Sequence, residues 1–245
     1  MNIFRYILTG IVTLIVSLIS LVFILLDWWL LFIPLEKRYF VADKFLIIPW
    51  TVIVNNLLGI KVKFIGKENI DKKRATLYIC NHQSWVDIPT FLRYSHAPTV
   101  AKKEVKNIPF LGILIIYAGV LFLDRKDKNG RLGIIKGTMK ILKKGGSFCV
   151  FPEGTRSKTG ELLEPNLTLV KICYKMNIPV VPTAIEGSRN ILEKGNYYVS
   201  LFKNVILKYN SPIYPKDYQD EDTFAKACWD MVESSHNEII NMINK

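Results

Sequence analysis

A histidine and an aspartate five positions apart, His82 and Asp87, have the residue types and the spacing of a general base. A carboxylate that accepts a hydrogen bond from one imidazole nitrogen fixes the tautomer and leaves the other nitrogen free to take a proton. Because the pair directly follows an apolar run typical of a strand, we expect a strand-to-helix turn that lets the carboxylate reach back to the ring. The sequence therefore predicts His82 and Asp87 as a catalytic pair.

Ser84, two residues beyond His82, offers an alternative in which the enzyme forms a covalent intermediate. This serine lacks the Gly-x-Ser-x-Gly elbow that exposes the nucleophile of a hydrolase. Direct attack by the hydroxyl of an acceptor, deprotonated by His82, needs only a bound acyl donor and hydrogen-bond donors for the oxyanion. The sequence favours this route, and a backbone N–H near Gly154 is the candidate oxyanion donor.

A second group of residues suits a phosphorylated ligand that bears a hydroxyl. Residues 151–157 combine a proline turn with a carboxylate, a glycine, a hydroxyl and a guanidinium. Arginine binds phosphate through two parallel hydrogen bonds, and lysine adds a point charge. The candidate ligand-binding residues are Lys102, Lys103, Arg125, Glu153, Gly154, Thr155 and Arg156. All are expected in loops at strand ends, which weakens the alternative that they are ordinary exposed surface residues.

The elements that must position these residues alternate between strand and helix after Gly66. Predicted strands are residues 61–65, 76–80, 99–101, 120–123, 148–151, 180–185 and 205–209, and predicted helices are residues 87–93, 131–144, 168–176 and 223–243. This alternation predicts an α/β domain with a mixed or parallel sheet flanked by helices. Ligands of such sheets bind at the carboxyl ends of strands, so three strand ends should deliver the candidate residues to one place.

The N-terminus is predicted to be a membrane element. Between residues 7 and 34 the only charge is Asp27, and about twenty helical residues cross a hydrocarbon core. Trp28 and Trp29 suit the headgroup level, and the basic residues that follow place the rest of the chain on the cytoplasmic face of the membrane. Residues 45–60, interrupted by Pro49, suit an amphipathic helix in the interface or one folded back on the first. We therefore divide the chain into N-terminal membrane-inserted helices, residues 1–60, and an α/β domain, residues 61–245.

The amino-acid composition limits the classes of molecule that the protein is expected to bind. A net charge of +12 implies an anionic partner, and the predicted membrane element makes an acidic lipid surface the natural one, so no nucleic-acid partner is expected. The four cysteines have neither zinc-site nor disulfide-scaffold spacing and are expected to be reduced and mostly buried. No metal-ligand cluster or glycine-rich nucleotide loop is evident, so no metal or resident cofactor is predicted.

The last predicted helix carries an apolar stripe that we interpret as core. Its members are Phe224, Cys228, Met231, Val232, Ser235, Ile239 and Met242. Helical periodicity places them on one face, which should pack along the sheet. The two remaining histidines, His96 and His236, have no partner motif and are interpreted as structural or exposed.

Four blocks of the sequence, taken in order and spacing, resemble those of the glycerophospholipid acyltransferases. The blocks are Asn81-His82-x4-Asp87, residues 119–125, residues 151–157 and residues 181–184. The likeness is greatest to bacterial 1-acylglycerol-3-phosphate acyltransferases, which make phosphatidic acid, and it covers about residues 60–190. The combination of the first and third blocks is far more specific than either alone.

The resemblance implies an acyl-CoA or acyl-carrier-protein donor and direct transfer without an acyl-enzyme, with His82 and Asp87 as the catalytic pair. It also implies that Arg125, Glu153, Gly154 and Arg156 bind the acceptor's glycerol phosphate, assisted by Lys102 or Lys103. Residues 164–168 depart from the Phe-Lys-x-Gly stretch of many relatives, which leaves another lyso-lipid acceptor open, such as lyso-ornithine lipid. A membrane-anchored lipid hydrolase and a non-catalytic lipid-binding protein are the alternatives from other classes.

Overall fold

The computed structural model describes residues 2–33, 41–95, 97–117, 120–124, 127, 129–196 and 198–243. The strands are β1 Lys61–Ile65, β2 Leu77–Cys80, β3 Val100–Lys102, β4 Leu121–Leu123, β5 Phe148–Val150, β6 Val180–Glu186 and β7 Asn204–Tyr209. The helices are α1 Asn2–Leu26, α2 Ile48–Leu57, α3 Asp87–Ser95, α4 Leu111–Tyr117, α5 Gly130–Lys143, α6 Thr168–Lys175 and α7 Glu221–Ile243. The predicted α/β fold is confirmed, and the seven predicted strands are all present with ends that differ by one residue at most.

Five strands form one sheet in the order β1-β7-β6-β2-β5. β2 is parallel to both of its neighbours, with Leu77 in register with Phe148 of β5 and Val180 of β6. β6 and β7 are antiparallel, and β1 is parallel to β7. The sheet is therefore mixed, and the carboxyl ends of β2, β5 and β6 lie at one edge, as the strand-end prediction requires.

β2 is buried on both faces, which explains why its sequence is apolar throughout and does not alternate. On one face, Tyr78 and Cys80 pack with α3 residue Phe91. On the other, Leu77 and Ile79 pack with residues of α6 and α7, including Phe224. Helices thus flank the central strands on both sides and fix the direction of the loops that follow them.

β3 and β4 form a separate parallel pair. A hydrogen bond from the Cys149 N–H to the Pro98 carbonyl, 2.8 Å, joins the segment before β3 to β5. α4, between β3 and β4, was not predicted from the sequence. Its residues are almost all apolar, Leu111-Gly-Ile-Leu-Ile-Ile-Tyr117, so there is no polar face whose period would indicate a helix.

The N-terminal helices share a core with the α/β domain. Val12 of α1 and Val54 of α2 belong to the same buried cluster as Tyr78 of β2. α1 is also the one helix in the described part of the chain that is long and apolar enough to cross a membrane. Pro49 lies in the first turn of α2, directly after a π-helical segment, Asp43–Ile47, so the chain stays helical through the proline.

The predicted stripe of α7 is wrong at two positions. Met231 and Met242 are exposed, whereas Trp229 and His236 are buried together with the remaining members of the stripe. The buried face is wider than a single row because α7 packs along β6 over most of its length. Trp229 and His236 therefore occupy core positions that a search for aliphatic residues at helical spacing misses.

Candidate active site

The turn that follows β2 is held at its start by Asn81. The buried Asn81 carboxamide donates to the Ile185 carbonyl, 2.9 Å, and accepts from the Ile185 N–H, 2.8 Å. Both hydrogen bonds reach the end of the neighbouring strand β6. The backbone therefore leaves the sheet at a fixed point, directly before His82.

His82 and Asp87 contact each other as predicted. His82 Nδ1 lies 2.7 Å from Asp87 Oδ2, and the Asp87 side chain is fully buried. The same oxygen accepts the N–H groups of Gln83, 2.7 Å, and Ser84, 2.8 Å. The turn thus wraps around the first carboxylate of α3. The His82 ring also stacks on Phe151 of the neighbouring loop, with centroids 4.3 Å apart.

Glu153 joins this turn to the loop after β5. Its Oε1 accepts the His82 N–H, 2.9 Å, and its Oε2 accepts the Leu163 N–H, 3.1 Å. Burial raises the pKa of the Glu153 carboxyl above its usual range, although these hydrogen bonds act in the opposite direction. Both carboxylate oxygens serve the backbone of the site, so contact with a ligand by Glu153 stays a prediction.

Gly154 has a left-handed backbone, φ 64°, which glycine adopts without strain. Its N–H donates to the Phe151 carbonyl, 3.0 Å, and closes a turn. The N–H of Gly154 itself is therefore engaged in this turn, and an oxyanion donor near Gly154 would be another backbone N–H. The backbone N–H groups of Thr155 and Arg156 come next along the chain, and an oxyanion role for either stays a prediction.

A lysine that the sequence did not indicate supports residues 155 and 156. Lys194 Nζ donates to Thr155 Oγ1, 2.9 Å, and to the Arg156 carbonyl, 2.7 Å. Lys194 lies nearly forty residues further along the chain and belongs to no motif, so no local signal pointed to it. Its ammonium adds a second positive group to this part of the molecule, beside Arg156.

Arg156 lies over an aromatic ring of the first loop. Its guanidinium carbon is 5.5 Å from the centroid of the Trp85 ring, and Trp85 is partly exposed. Burial lowers the pKa of the Arg156 guanidinium, and the negative charge of Asp87 acts in the opposite direction. The structure therefore brings Arg156 beside the His82–Asp87 pair, at the rim of the same strand ends.

The other predicted cations are placed differently. Lys102 ends β3, and Lys103 Nζ forms an ion pair with Asp124 Oδ2, 2.9 Å, at the ends of the two-stranded sheet. Among the described residues, no hydrogen bond or ion pair joins either lysine to the His82 turn. Arg125 lies outside the described residues. A ligand role for these three residues stays a prediction.

The sequence that forms this edge of the sheet matches a known family. A model described as acyltransferase matches residues 61–186, which contain the strand ends that carry the site. The chain belongs to the acyltransferase family. Within this acyltransferase domain, the family match includes His82, Asp87 and the whole segment 151–157.

Individual relatives of the acyltransferase agree with the family match. A 1-acyl-sn-glycerol-3-phosphate acyltransferase of Cocos nucifera is 35% identical over 170 residues, 67% of this chain and 54% of that protein. One from Borreliella burgdorferi is 30% identical over 140 residues, 56% of each chain. The crystal structure of the 1-acyl-sn-glycerophosphate acyltransferase PlsC from Thermotoga maritima superposes with a TM-score of 0.78 at 30% identity, covering 96% of this chain and 97% of that one.

The chain spans about half the length of the curated relatives that it matches. The match spans about half the length of the plant proteins, 54% of the one from Cocos nucifera and 45% of one from Brassica napus. The fold of the whole chain is supported separately by the Thermotoga structure, which has a comparable extent.

Proposed function

We propose that this acyltransferase moves a fatty acyl group from a thioester, acyl-CoA or acyl-carrier protein, to the free hydroxyl of 1-acylglycerol-3-phosphate, and so produces phosphatidic acid. The observation that carries the proposal is the contact of His82 Nδ1 with a buried Asp87 oxygen that also accepts two backbone N–H groups. The relatives, which are 1-acyl-sn-glycerol-3-phosphate acyltransferases, support this choice of acceptor.

The hydrogen-bond pattern assigns the tautomer of His82. Asp87 Oδ2 accepts from the N–H groups of Gln83 and Ser84, so it serves as an acceptor and the imidazole Nδ1 must be the donor. In the neutral ring, Nε2 is then the unprotonated nitrogen. A nitrogen of this kind can take a proton from a lipid hydroxyl, which is the general-base role that the spacing predicted.

The proposed reaction needs no covalent enzyme intermediate. The acceptor hydroxyl gives its proton to His82 Nε2 while its oxygen forms a bond to the thioester carbonyl carbon. The tetrahedral oxyanion is stabilised by backbone N–H groups of residues 155 and 156. The carbon–sulfur bond then breaks, and the imidazolium returns the proton to the leaving thiolate. Asp87 stabilises the imidazolium between the two proton transfers. Ser84 is engaged elsewhere, since its hydroxyl donates to the Leu192 carbonyl, 3.0 Å.

The acceptor's phosphate is proposed to bind beside Arg156. Its guanidinium is partly exposed and next to the catalytic pair, and the neighbouring Lys194 ammonium adds positive charge. A guanidinium binds phosphate through two hydrogen bonds at once, which orients the rest of the lipid. An acceptor without phosphate, such as lyso-ornithine lipid, would gain much less binding free energy from Arg156 and Lys194.

The test combines donors and acceptors. Purified protein is given acyl-CoA or acyl-carrier protein with a panel of lysolipids, and products are identified by mass spectrometry. We expect phosphatidic acid to be the main product. Arg156→Ala should raise the KM for 1-acylglycerol-3-phosphate by about 10-fold or more and leave that of phosphate-free lysolipids nearly unchanged, because a charge-assisted pair contributes roughly 1.5–3 kcal/mol.

Arg93→Ala is the matched control for Arg156→Ala. Arg93 also lies over aromatic rings, those of Phe64 and Tyr94, but it is near the end of α3 and away from the strand-end loops. Its kinetic constants should equal those of the unmodified protein. If Arg156→Ala raised the KM equally for phosphate-free acceptors, Arg156 would not be the phosphate-binding residue. Release of free fatty acid without consumption of any lysolipid would instead identify a hydrolase.

The acyltransferase is proposed to lie on the cytoplasmic face of the inner membrane, with α1 embedded along one leaflet. α1 contacts the rest of the protein at both halves: Thr9 Oγ1 accepts the Val199 N–H of the α/β domain, 2.9 Å, and Ser20 Oγ accepts from Trp50 Nε1 of α2, 3.0 Å. A helix crossing the bilayer would carry these flanking segments into the hydrocarbon. The opposite face of α1 is apolar and exposed, at Ile7, Ile11, Leu14, Leu18, Val22 and Leu25.

Spin-label depth distinguishes an embedded α1 from a spanning one. Nitroxides are attached to single cysteines introduced at Ile7, Leu14 and Leu25, since the four native cysteines are buried. In anionic phospholipid vesicles we expect nearly equal depths at all three sites. A spanning helix would put position 14 about 10 Å deeper than position 7, from 1.5 Å of rise per residue. A label at Met231 of α7, which is exposed, should report water.

A further inference from the structure

A buried group of three polar side chains lies directly behind the catalytic turn. Gln83 Nε2 donates to Glu186 Oε2, 2.5 Å, and His236 Nε2 lies 2.9 Å from the same oxygen. Gln83 and His236 are almost completely buried. The three residues come from the turn after β2, the end of β6 and the middle of α7. One carboxylate oxygen therefore connects the C-terminal helix to the residue that follows His82.

The charges within this group define the direction of each hydrogen bond. Burial alone would raise the pKa of the Glu186 carboxyl, but the hydrogen bonds that it accepts, with that of His236 the largest, hold the pKa below its usual range. An ionised carboxylate can only accept, so the Gln83 amide and the His236 ring both donate to it. The 3.3 Å contact between Gln83 Nε2 and His236 Nε2 then brings together two donors that share an acceptor.

Gln83 is held from two sides. Its side chain is tied to Glu186, while its backbone N–H donates to Asp87 Oδ2, the oxygen that also binds His82 Nδ1. The side-chain oxygen, Oε1, lies 3.5 Å from the Ser188 hydroxyl, which fixes the orientation of the amide. The anchored side chain restricts the backbone dihedral angles of Gln83. It therefore also restricts the direction of the Gln83 N–H that donates to Asp87.

We propose that Gln83, anchored by Glu186 and His236, is a positioning residue that keeps the Asp87 carboxylate and the His82 ring aligned for proton transfer. The proposal rests on the acyl-transfer function proposed above. It extends that function by giving α7, which lies outside the matched family segment of residues 61–186, a part in the alignment of the catalytic pair. The alternative is a structural cluster that only stabilises the packing of α7 on the sheet.

Gln83→Met tests the proposal, because methionine keeps the length of the side chain and removes its hydrogen bonds. Glu186 keeps the His236 and Gly187 donors in this variant, so the buried charge is not left without partners. We expect kcat to fall by about 10-fold to 100-fold, as expected for a misplaced catalytic group. The KM values of both substrates should stay unchanged, since no substrate contact is lost.

Glu238→Gln is the matched control. Glu238 lies two residues from His236 on α7 and forms an ion pair with Lys208 of β7, so its loss weakens the same helix-to-sheet packing without touching the turn. We expect its kcat to equal that of the unmodified protein. A kcat loss of the same size in Glu238→Gln and Gln83→Met would show that the cluster is only structural, and an unchanged kcat in Gln83→Met would also overturn the proposal.

A second measurement is independent of turnover. The chain has three histidines, so selective ¹⁵N-histidine labelling gives few ring signals. The Nδ1–H proton of His82 should shift in Gln83→Met and stay in place in Glu238→Gln; an unchanged signal in Gln83→Met would contradict positioning. Should Gln83→Met not fold, Glu186→Met gives the same test, since it removes the oxygen that anchors the Gln83 amide. If the unmodified protein transferred no acyl group, the proposed function would fail, whereas the His82 signal would still decide the positioning role.

Discussion

His82→Ala should lower acyl transfer by about 10²-fold to 10⁴-fold, the usual contribution of a positioned general base. The variant should remain folded, because Asp87 Oδ2 keeps its hydrogen bonds from the Gln83 and Ser84 N–H groups. The lost contacts are the stacking on Phe151 and one hydrogen bond. The acyl donor should still bind, since the proposed role of His82 concerns only the acceptor's proton. Initial rates under saturating substrates, with thermal unfolding midpoints, provide the measurement.

Added imidazole gives a sharper control for His82→Ala. Removal of the ring opens space beside Phe151, next to the Asp87 carboxylate, that a free imidazole can occupy. We expect imidazole to restore part of the lost rate in this variant and to leave the unmodified enzyme unaffected. A folded His82→Ala variant with nearly normal turnover would rule out the assigned base. If added imidazole did not change the rate of His82→Ala, the rate loss of this variant would be the only evidence that His82 is the base.

Asp87→Asn should lower transfer by a comparable factor, about 10²-fold to 10⁴-fold. The asparagine oxygen must occupy the Oδ2 position, because three donors converge there. The amide nitrogen then takes the Oδ1 position, which is buried and has no hydrogen-bond partner among the described residues. The variant therefore loses the charge that stabilises the imidazolium and buries two unpaired N–H donors, which costs about 1–3 kcal/mol of folding free energy.

Asp230→Asn is the matched control for Asp87→Asn. Asp230 pairs with Lys226 on the exposed side of α7, and such pairs contribute little to stability. Neither its turnover nor its unfolding midpoint should change measurably. For Asp87→Asn, the two losses should be separable: a temperature well below the midpoint restores folding but not the rate. Recovery of the full rate at that temperature would mean that Asp87 has only a structural role.

Much of the fold followed from short-range patterns. Strand β2 and the helix that follows it, α3, were predicted because an apolar run ends at a polar turn. The structure contains both elements. The meeting of His82 with residues 151–157 followed from one rule, that parallel strands bring their carboxyl ends to one edge. The rule applied because β2 and β5 are neighbours in the sheet. The uniformly apolar α4 gave no periodic signal and was therefore not predicted.

The details of the site depended on contacts between distant parts of the chain. Glu153 was selected as a ligand-binding residue from its loop, yet its carboxylate spans the backbone of His82 and Leu163. A backbone N–H near Gly154 was predicted as the oxyanion donor, and the structure shows that the N–H of Gly154 itself closes a turn on the Phe151 carbonyl. Both positions were correctly placed near the site, but the direction of a hydrogen bond depends on backbone angles that residue types do not reveal.

The sequence by itself predicted the contact between His82 and Asp87, because the two residues are close along the chain and a single turn brings them together. It also determined the class of the fold, because alternating strand and helix patterns leave few ways to bury the apolar residues. Only the tertiary structure decided that Glu186, His236 and Lys194 support the site. These residues lie between about 40 and 150 positions from their partners, so their contacts depend on strand order and on the rotation of α7, which no local pattern encodes.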